Sequence, residues 1–186
     1  MILSGERVVL RPVQPADFPY VVEWTKNEQV GHFAADDGYP ESIAECEQWY
    51  KKLLANRHNQ VFIIQAEDGH PIGDVEFDQI TWRSGDAELR IRIGDPRYWN
   101  RGYGTETVRA MVKYGFEELN LQRIYLRVSK NNPRALRCYE KAHFRKEGKV
   151  MRRVGNSTSE EVVYLMRILK GEYLQAQNKG HLGQVS

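Results

Sequence analysis

Cysteine is scarce in this 186-residue chain: only Cys46 and Cys138 are present, far apart and both in stretches with helical patterning. A disulfide framework is therefore excluded, and two free thiols in a reducing compartment, the cytoplasm, are expected. The five histidines are scattered, so no metal-ligand cluster takes shape and no metal is expected. No apolar run approaches the ~20 residues that span a bilayer. The opening residues, MILSGERVVLRP, lack the charged-then-apolar order of a secretory signal. An excess of one charge is missing too. With 27 Lys and Arg against 25 Asp and Glu, the net charge of +2 argues against a nucleic-acid surface. Internal repeats, low-complexity tracts and linkers are also lacking. What remains is a single domain over residues 1–170, with a polar, glycine-containing tail over 171–186 that is expected to fray.

The pattern that is present alternates strands and helices. Arg7–Arg11 is a short strand ended by Pro12, and Pro15-Ala16-Asp17 opens a helix carrying Phe18, Val21, Val22 and Trp24. Residues 32–40 are expected to form a loop. Ser42 and Glu45 form a capping box for a helix with apolar residues Ile43, Cys46, Trp49, Tyr50, Leu53 and Leu54. Strands over Val61–Gln65, Pro71–Trp82 and Ala87–Ile93 have short connections, which predicts an antiparallel meander. A helix from Tyr103 to Leu119 then crosses over to a strand at Arg123–Val128, so that strand pairs in parallel. A helix from Pro133 to Ala142 and a hairpin of Arg145–Arg153 with Val162–Ile168, turning near Gly155-Asn156, close the order. The expected architecture is a mixed α/β sheet.

The most informative stretch is Trp99-Asn100-Arg101-Gly102-Tyr103-Gly104-Thr105. Two glycines one residue apart stand between a strand and a helix whose apolar face is Val108, Met111, Val112, Gly115, Phe116 and Leu119. The first helical N–H groups have no partner within the helix, and the macrodipole puts partial positive charge there. Glycine lets the backbone approach an anion, and Arg101 adds a full charge. Such turns also occur where a chain simply bends. Neither the P-loop nor the dinucleotide signature is present.

In element order and in two separated motifs, the chain resembles the GNAT superfamily of acyl-CoA-dependent N-acyltransferases over residues 6–169. The first motif is the six-residue glycine turn. The second is Asn132 through Phe144, with Asn132, Ala135 three residues on, Tyr139-Glu140-Lys141 and a closing Phe144. Ala87-Glu88-Leu89, Tyr98-Trp99 and Asn120-Leu121 resemble the ribosomal-protein N-terminal acetyltransferase and spermidine/spermine N-acetyltransferase branches. Two departures stand out. Trp99 replaces the usual Gln or Arg, and His143 replaces a glycine that would serve a left-handed helix end.

The resemblance implies a mostly antiparallel sheet with a central, splayed parallel strand pair and about four helices. Acetyl-CoA is the implied cosubstrate. Its pyrophosphate would lie on the amides of Asn100, Arg101, Gly102, Tyr103, Gly104 and Thr105, with Trp99 opening the loop. Its pantetheine arm would pair with the backbone of Ile91, Arg92 and Ile93, which would also polarise the thioester carbonyl, and Asn132 would bond the cosubstrate or its approach. Tyr139 is the implied general acid for the leaving thiolate, a role suited to a phenol, which ordinarily titrates near 10. By spacing alone Tyr139 reads as a core aromatic, and the motif match reverses that. Glu88 is the candidate base or proton-relay anchor; the alternative is a structural ion pair with Arg90 or Arg92. Glu28, Asp36, Asp37, Glu41, Glu45 and Glu47 form a stretch without internal Lys or Arg, read as an acidic lip for a cationic acceptor or as an ordinary solvated face. His32, Phe33 and Glu41 are the candidate acceptor contacts. The expected partner is a primary amine, a polyamine or a peptide N-terminus, and a homodimer is possible on the exposed sheet edges. A non-catalytic acyl-CoA-binding module on the same fold is the alternative.

Overall fold

The computed structural model describes residues 2–30, 39–153 and 160–182. The predicted loop contacts His32 and Phe33, the acids Asp36 and Asp37 and the turn at Gly155-Asn156 lie outside the described residues. Eight strands form one sheet: β1 (Leu3–Ser4), β2 (Val8–Pro12), β3 (Gln60–Ala66), β4 (Pro71–Thr81), β5 (Asp86–Ile93), β6 (Arg123–Ser129), β7 (Arg145–Arg153) and β8 (Glu160–Leu169), in spatial order β1-β2-β3-β4-β5-β6-β8-β7. The β3–β4–β5 meander is antiparallel, as its short turns require, and β7 pairs antiparallel with β8. The pair β5–β6 is parallel because a helix, α3 (Tyr103–Glu117), separates the two strands in sequence.

One sheet face carries α3. Val108, Met111, Val112 and Phe116 bury against Val75, Phe77, Leu89, Ile124 and Leu126. A Cβ on Gly115 would stand 2.9 Å from both Phe77 and Ile124, so glycine lets the helix settle directly on the sheet. The other face carries α1 (Phe18–Lys26) and α2 (Ile43–Ala55), whose Phe18, Val21, Trp24 and Cys46 pack on Ile63. Ile63 and Ile64 serve opposite cores because successive strand residues face opposite ways. Two details of the α2 reading change. Ile43 and Leu54 are solvent-exposed, so the apolar face is narrower than the spacing implied. The Ser42 hydroxyl does accept from the Glu45 amide, but the Glu45 carboxylate reaches past Ser42 to the Glu41 amide at 2.8 Å.

The tail is also different. Lys170–Leu182 forms a helix, α5, instead of fraying from Gly171. Tyr173 anchors it, burying its ring against Phe116 and donating its hydroxyl to Glu117, and Glu172 adds an ion pair with Arg167. A polar composition hides a single anchoring aromatic. Burial, with the Glu117 carboxylate adding to it, pushes the Tyr173 phenol up to about 12.

The departure at His143 is seated where glycine was expected. The helix α4 (Pro133–Lys141) ends with His143 at φ 67, while the Phe144 amide bonds the Tyr139 carbonyl and the His143 amide bonds the Glu140 carbonyl. This is a Schellman end, with Phe144 packed back on Tyr139. A left-handed L-residue costs about 1–2 kcal/mol. Replacing His143 by Gly removes that strain and adds unfolded-state entropy, for an expected net gain of about 0.5–1 kcal/mol. A thermal melt checks this; the expected rise is about 1–4 °C for a chain of this size.

Candidate active site

The strands β5 and β6 pair only where Asp86, Ala87 and Glu88 meet Arg123, Ile124 and Tyr125. Beyond that point β5 stays with β4 as far as Ile93, and β6 stays with β8 as far as Ser129. Each strand follows its outer partner, and the two part. The gap opens into a cavity of about 1120 Å³, lined by Leu89–Ile93 on one side and Arg127–Ser129 on the other, with the glycine turn and α4 at one end.

Main-chain direction decides what that edge offers. A Cβ on Gly73 would stand 2.0 Å from the Arg92 carbonyl, so this carbonyl points into β4 and away from the gap. Strand alternation turns the main chain of Ile91 and Ile93 toward the cavity. The Ile93 carbonyl accepts the Trp99 indole N–H at 2.8 Å. Of the three predicted backbone partners for a pantetheine arm, Arg92 is thus a correction. Ile93 has its carbonyl engaged, and Ile91 faces the gap.

The Arg92 side chain has a different task. It is 5 % exposed, donates to Asp74 through both Nε (3.0 Å) and Nη2, and donates to the Thr25 hydroxyl at 2.8 Å. The Tyr39 ring lies 3.8 Å from the guanidinium carbon. Burial opposes the charge, but Asp74 and the surrounding groups outweigh it, leaving the guanidinium pKa raised. The register explains the arrangement: Asp74, Glu76 and Asp78 of β4 stand opposite Arg92, Arg90 and Glu88 of β5. This charged ladder was legible as Asp-x-Glu-x-Asp facing Glu-x-Arg-x-Arg, and only the β5 half of it was read.

At the glycine turn, Asn100 (φ 59) and Gly102 (φ 90) are left-handed, curling successive amides into a concave nest at the start of α3. Asn100, Gly102, Gly104 and Thr105 line the cavity. A Cβ on Gly104 would point between Ile93 and Cys138, so glycine keeps that end open. Two side chains of the turn face elsewhere. Tyr103 packs behind it, with its hydroxyl donated to Glu67 at 3.1 Å. Arg101 is exposed, is not on the cavity wall, and uses its carbonyl to accept from Arg7. Cations at this end come from α4 instead. Arg134, Arg137 and Lys141 line the cavity, and Arg134 stacks 3.5 Å from the Trp99 ring centroid. Burial lowers the Arg134 pKa. The turn, its nest and these cations fit the polyanionic end of CoA.

Glu88 is 2 % exposed at the point where the strands part. Its bidentate partner is Arg127, which was not weighed from sequence: Nε and Nη2 of Arg127 donate to the two carboxylate oxygens at 2.8 and 2.7 Å. Arg90 approaches at 3.6 Å as a second cation. Asn132 is the N-cap of α4, its Oδ1 accepting from the Ala135 amide, and it lines the cavity. Tyr139 is buried and lines the same cavity. Glu41 is exposed and off the cavity wall, as are Glu28, Glu45 and Glu47, so the described part of the acidic lip does not reach the site. The wall carries one carboxylate that sequence reasoning missed, Glu161. Among the described residues no group of metal-ligating side chains forms, and no helix is long and apolar enough to cross a membrane.

Comparison with known proteins agrees with this geometry. Residues 7–145 match the model of the acetyltransferase (GNAT) domain. The chain is 32% identical over 148 residues to a spermidine N(1)-acetyltransferase of Escherichia coli K12, covering 80% of this chain and 78% of that one. It is 27% identical over 170 residues to the Vibrio cholerae enzyme of that name, covering 91% and 97%. The crystal structure of spermidine N-acetyltransferase from Vibrio cholerae in complex with CoA and spermine superposes with a TM-score of 0.83 at 26% identity, over 91% of this chain and 99% of that chain. A dodecameric structure of that enzyme gives a TM-score of 0.78. The splayed strands, the glycine nest and the second motif on α4 are thus those of the GNAT acetyltransferase family, to which this chain belongs as an acetyl-CoA-dependent N-acetyltransferase.

Proposed function

We propose that the acceptor is a polyamine or short diamine, acetylated on a primary amine in the cytoplasm, where Cys46 and Cys138 stay reduced. The observation that carries this reading is a pair of carboxylates, Glu88 and Glu161, on the wall of the cavity that the glycine turn also lines. Arginines hold both in place, Arg127 on Glu88 and Arg152 on Glu161. The names of the relatives support it, since they are spermidine acetyltransferases. The exposed edge strand β7 supports association of copies of the chain.

The cosubstrate supplies a thioester carbonyl. The main chain at Ile91 and Ile93 orients that carbonyl at the parting of the strands. The amine nitrogen bonds to the carbonyl carbon, and the carbon–sulfur bond breaks. Glu88, fixed by the Arg127 fork, anchors the route by which the amine proton leaves. The Tyr139 hydroxyl gives a proton to the departing sulfur.

Free thiol release from acetyl-CoA tests the reading. Spermidine and a four-carbon diamine are expected to release thiol far faster than buffer does. No release with polyamines would overturn the acceptor assignment, and basic peptides in the same panel distinguish a protein substrate. Tight CoA binding by calorimetry with no turnover on any amine would leave a non-catalytic binding module.

A further inference from the structure

We infer that Glu161 determines acceptor specificity: its carboxylate takes the distal ammonium of a diamine or polyamine whose other amine is acetylated beside Glu88. This rests on the polyamine reading above and deepens it.

Glu88 and Glu161 are the only carboxylates among the described residues of the cavity wall. They reach it from different strands, β5 and β8, and each is oriented from β6 between them. Arg127 forks onto Glu88, and the Ser129 hydroxyl donates to Glu161 at 2.6 Å. Arg127 and Ser129 are two apart on one strand, so they share a face of β6 and hold both carboxylates on that face. Val163 follows Glu161 on the same face of β8 and also lines the cavity, giving the methylenes an apolar wall.

A structural role for Glu161 exists alongside. It is the cross-strand partner of Arg152 on β7 and forms an ion pair with it. Arg152 engages it through both Nε and Nη2. That pair gives no reason for the Ser129 bond, which draws the carboxylate from β7 toward β6 and the cavity. The Arg152 side chain is 42% exposed on the edge strand, so it retracts into water at small cost when an ammonium arrives. Glu161 itself is only 14% exposed, and a carboxylate in that position gains more from a second cation than one in open solvent.

The experiment compares kcat/KM for an alkyl diamine and for the monoamine of the same chain length. The wild-type enzyme is expected to prefer the diamine. In Glu161→Gln that preference falls by at least about tenfold, the loss of one charged hydrogen bond, and the change lies in KM. Ser129→Ala moves it the same way by less, and Glu161→Asp restores part of it. Glu160→Gln, an exposed neighbour, keeps the wild-type ratio. Should Glu161→Gln fail to fold, Ser129→Ala and Glu161→Asp carry the test. An unchanged ratio in Glu161→Gln, or a wild-type enzyme that acetylates both amines without preferring the diamine, overturns the inference while leaving the acetyltransferase intact. A wild-type enzyme active on monoamines or peptides but on no polyamine would instead bring down the acceptor reading on which this one rests.

Discussion

Tyr139→Phe is expected to lower kcat by about 10²–10⁴-fold, the contribution of a positioned general acid, while the Kd for acetyl-CoA stays close to its wild-type value. The change deletes one oxygen and keeps the ring. That ring is held by features that Phe retains: its packing on Phe144, with centroids 6.0 Å apart, and its place in the last turn of α4, where the Tyr139 carbonyl accepts from the Ala142 and Phe144 amides. The groups proposed to bind the cosubstrate lie on the glycine turn, β5 and other positions of α4, so affinity has no reason to fall. Steady-state turnover beside calorimetric CoA binding separates the two quantities. Turnover within a factor of two of wild type would remove Tyr139 from the mechanism and return it to the core, where it also belongs. A parallel loss of kcat and CoA affinity would point to a displaced α4 instead.

The main lines of the fold were legible because each rested on a local rule. Short turns made β3–β4–β5 antiparallel, a crossover helix made β5–β6 parallel, and apolar spacing at three and four aimed α3 at the sheet. The position of the glycine turn was legible for the same reason. Much of what escaped was set by side-chain partners that the pattern does not reveal, some of them distant in sequence. Glu88 and Arg127 are 39 positions apart, and nothing near either one announces the fork. Arg92 was read by its backbone, but its carbonyl faces β4 and its side chain is engaged by Asp74 and α1. Asn132 lines the cavity as expected for a cosubstrate contact, and its Oδ1 also caps the helix it starts. The acidic run Glu28–Glu47 left two readings open because a count of charges does not say which way the side chains face. Glu45, for one, bonds the chain just ahead of its own helix. Glu161 was passed over because alternation on an edge-proximal strand does not separate a solvated face from a cavity wall.

The buried pair behind the acceptor end yields the largest expected effect on stability. Asp74→Ala removes the carboxylate that Arg92 engages through two nitrogens and leaves a guanidinium 5 % exposed beside Trp24 and Tyr39. Stranding a buried charge in this way costs about 3–5 kcal/mol, which for a domain of this size lowers Tm by roughly 6–20 °C. The penalty belongs to the unmatched charge more than to the lost attraction. The double variant Asp74→Leu with Arg92→Met is therefore expected to recover most of the Tm, since well-packed apolar replacements of buried ion pairs are often neutral. Recovery of the fold should not restore the site. Arg92 ties α1 to the sheet through Thr25 and stacks on Tyr39, which lines the cavity, and methionine offers neither the hydrogen bond nor the cation. The double variant is thus expected to melt near the wild-type temperature with a raised KM for the amine and an unchanged KM for acetyl-CoA. A double variant as unstable as Asp74→Ala would mean that packing around the pair, and not its charge, holds this layer. A wild-type amine KM in the stable double variant would detach Tyr39 from acceptor binding.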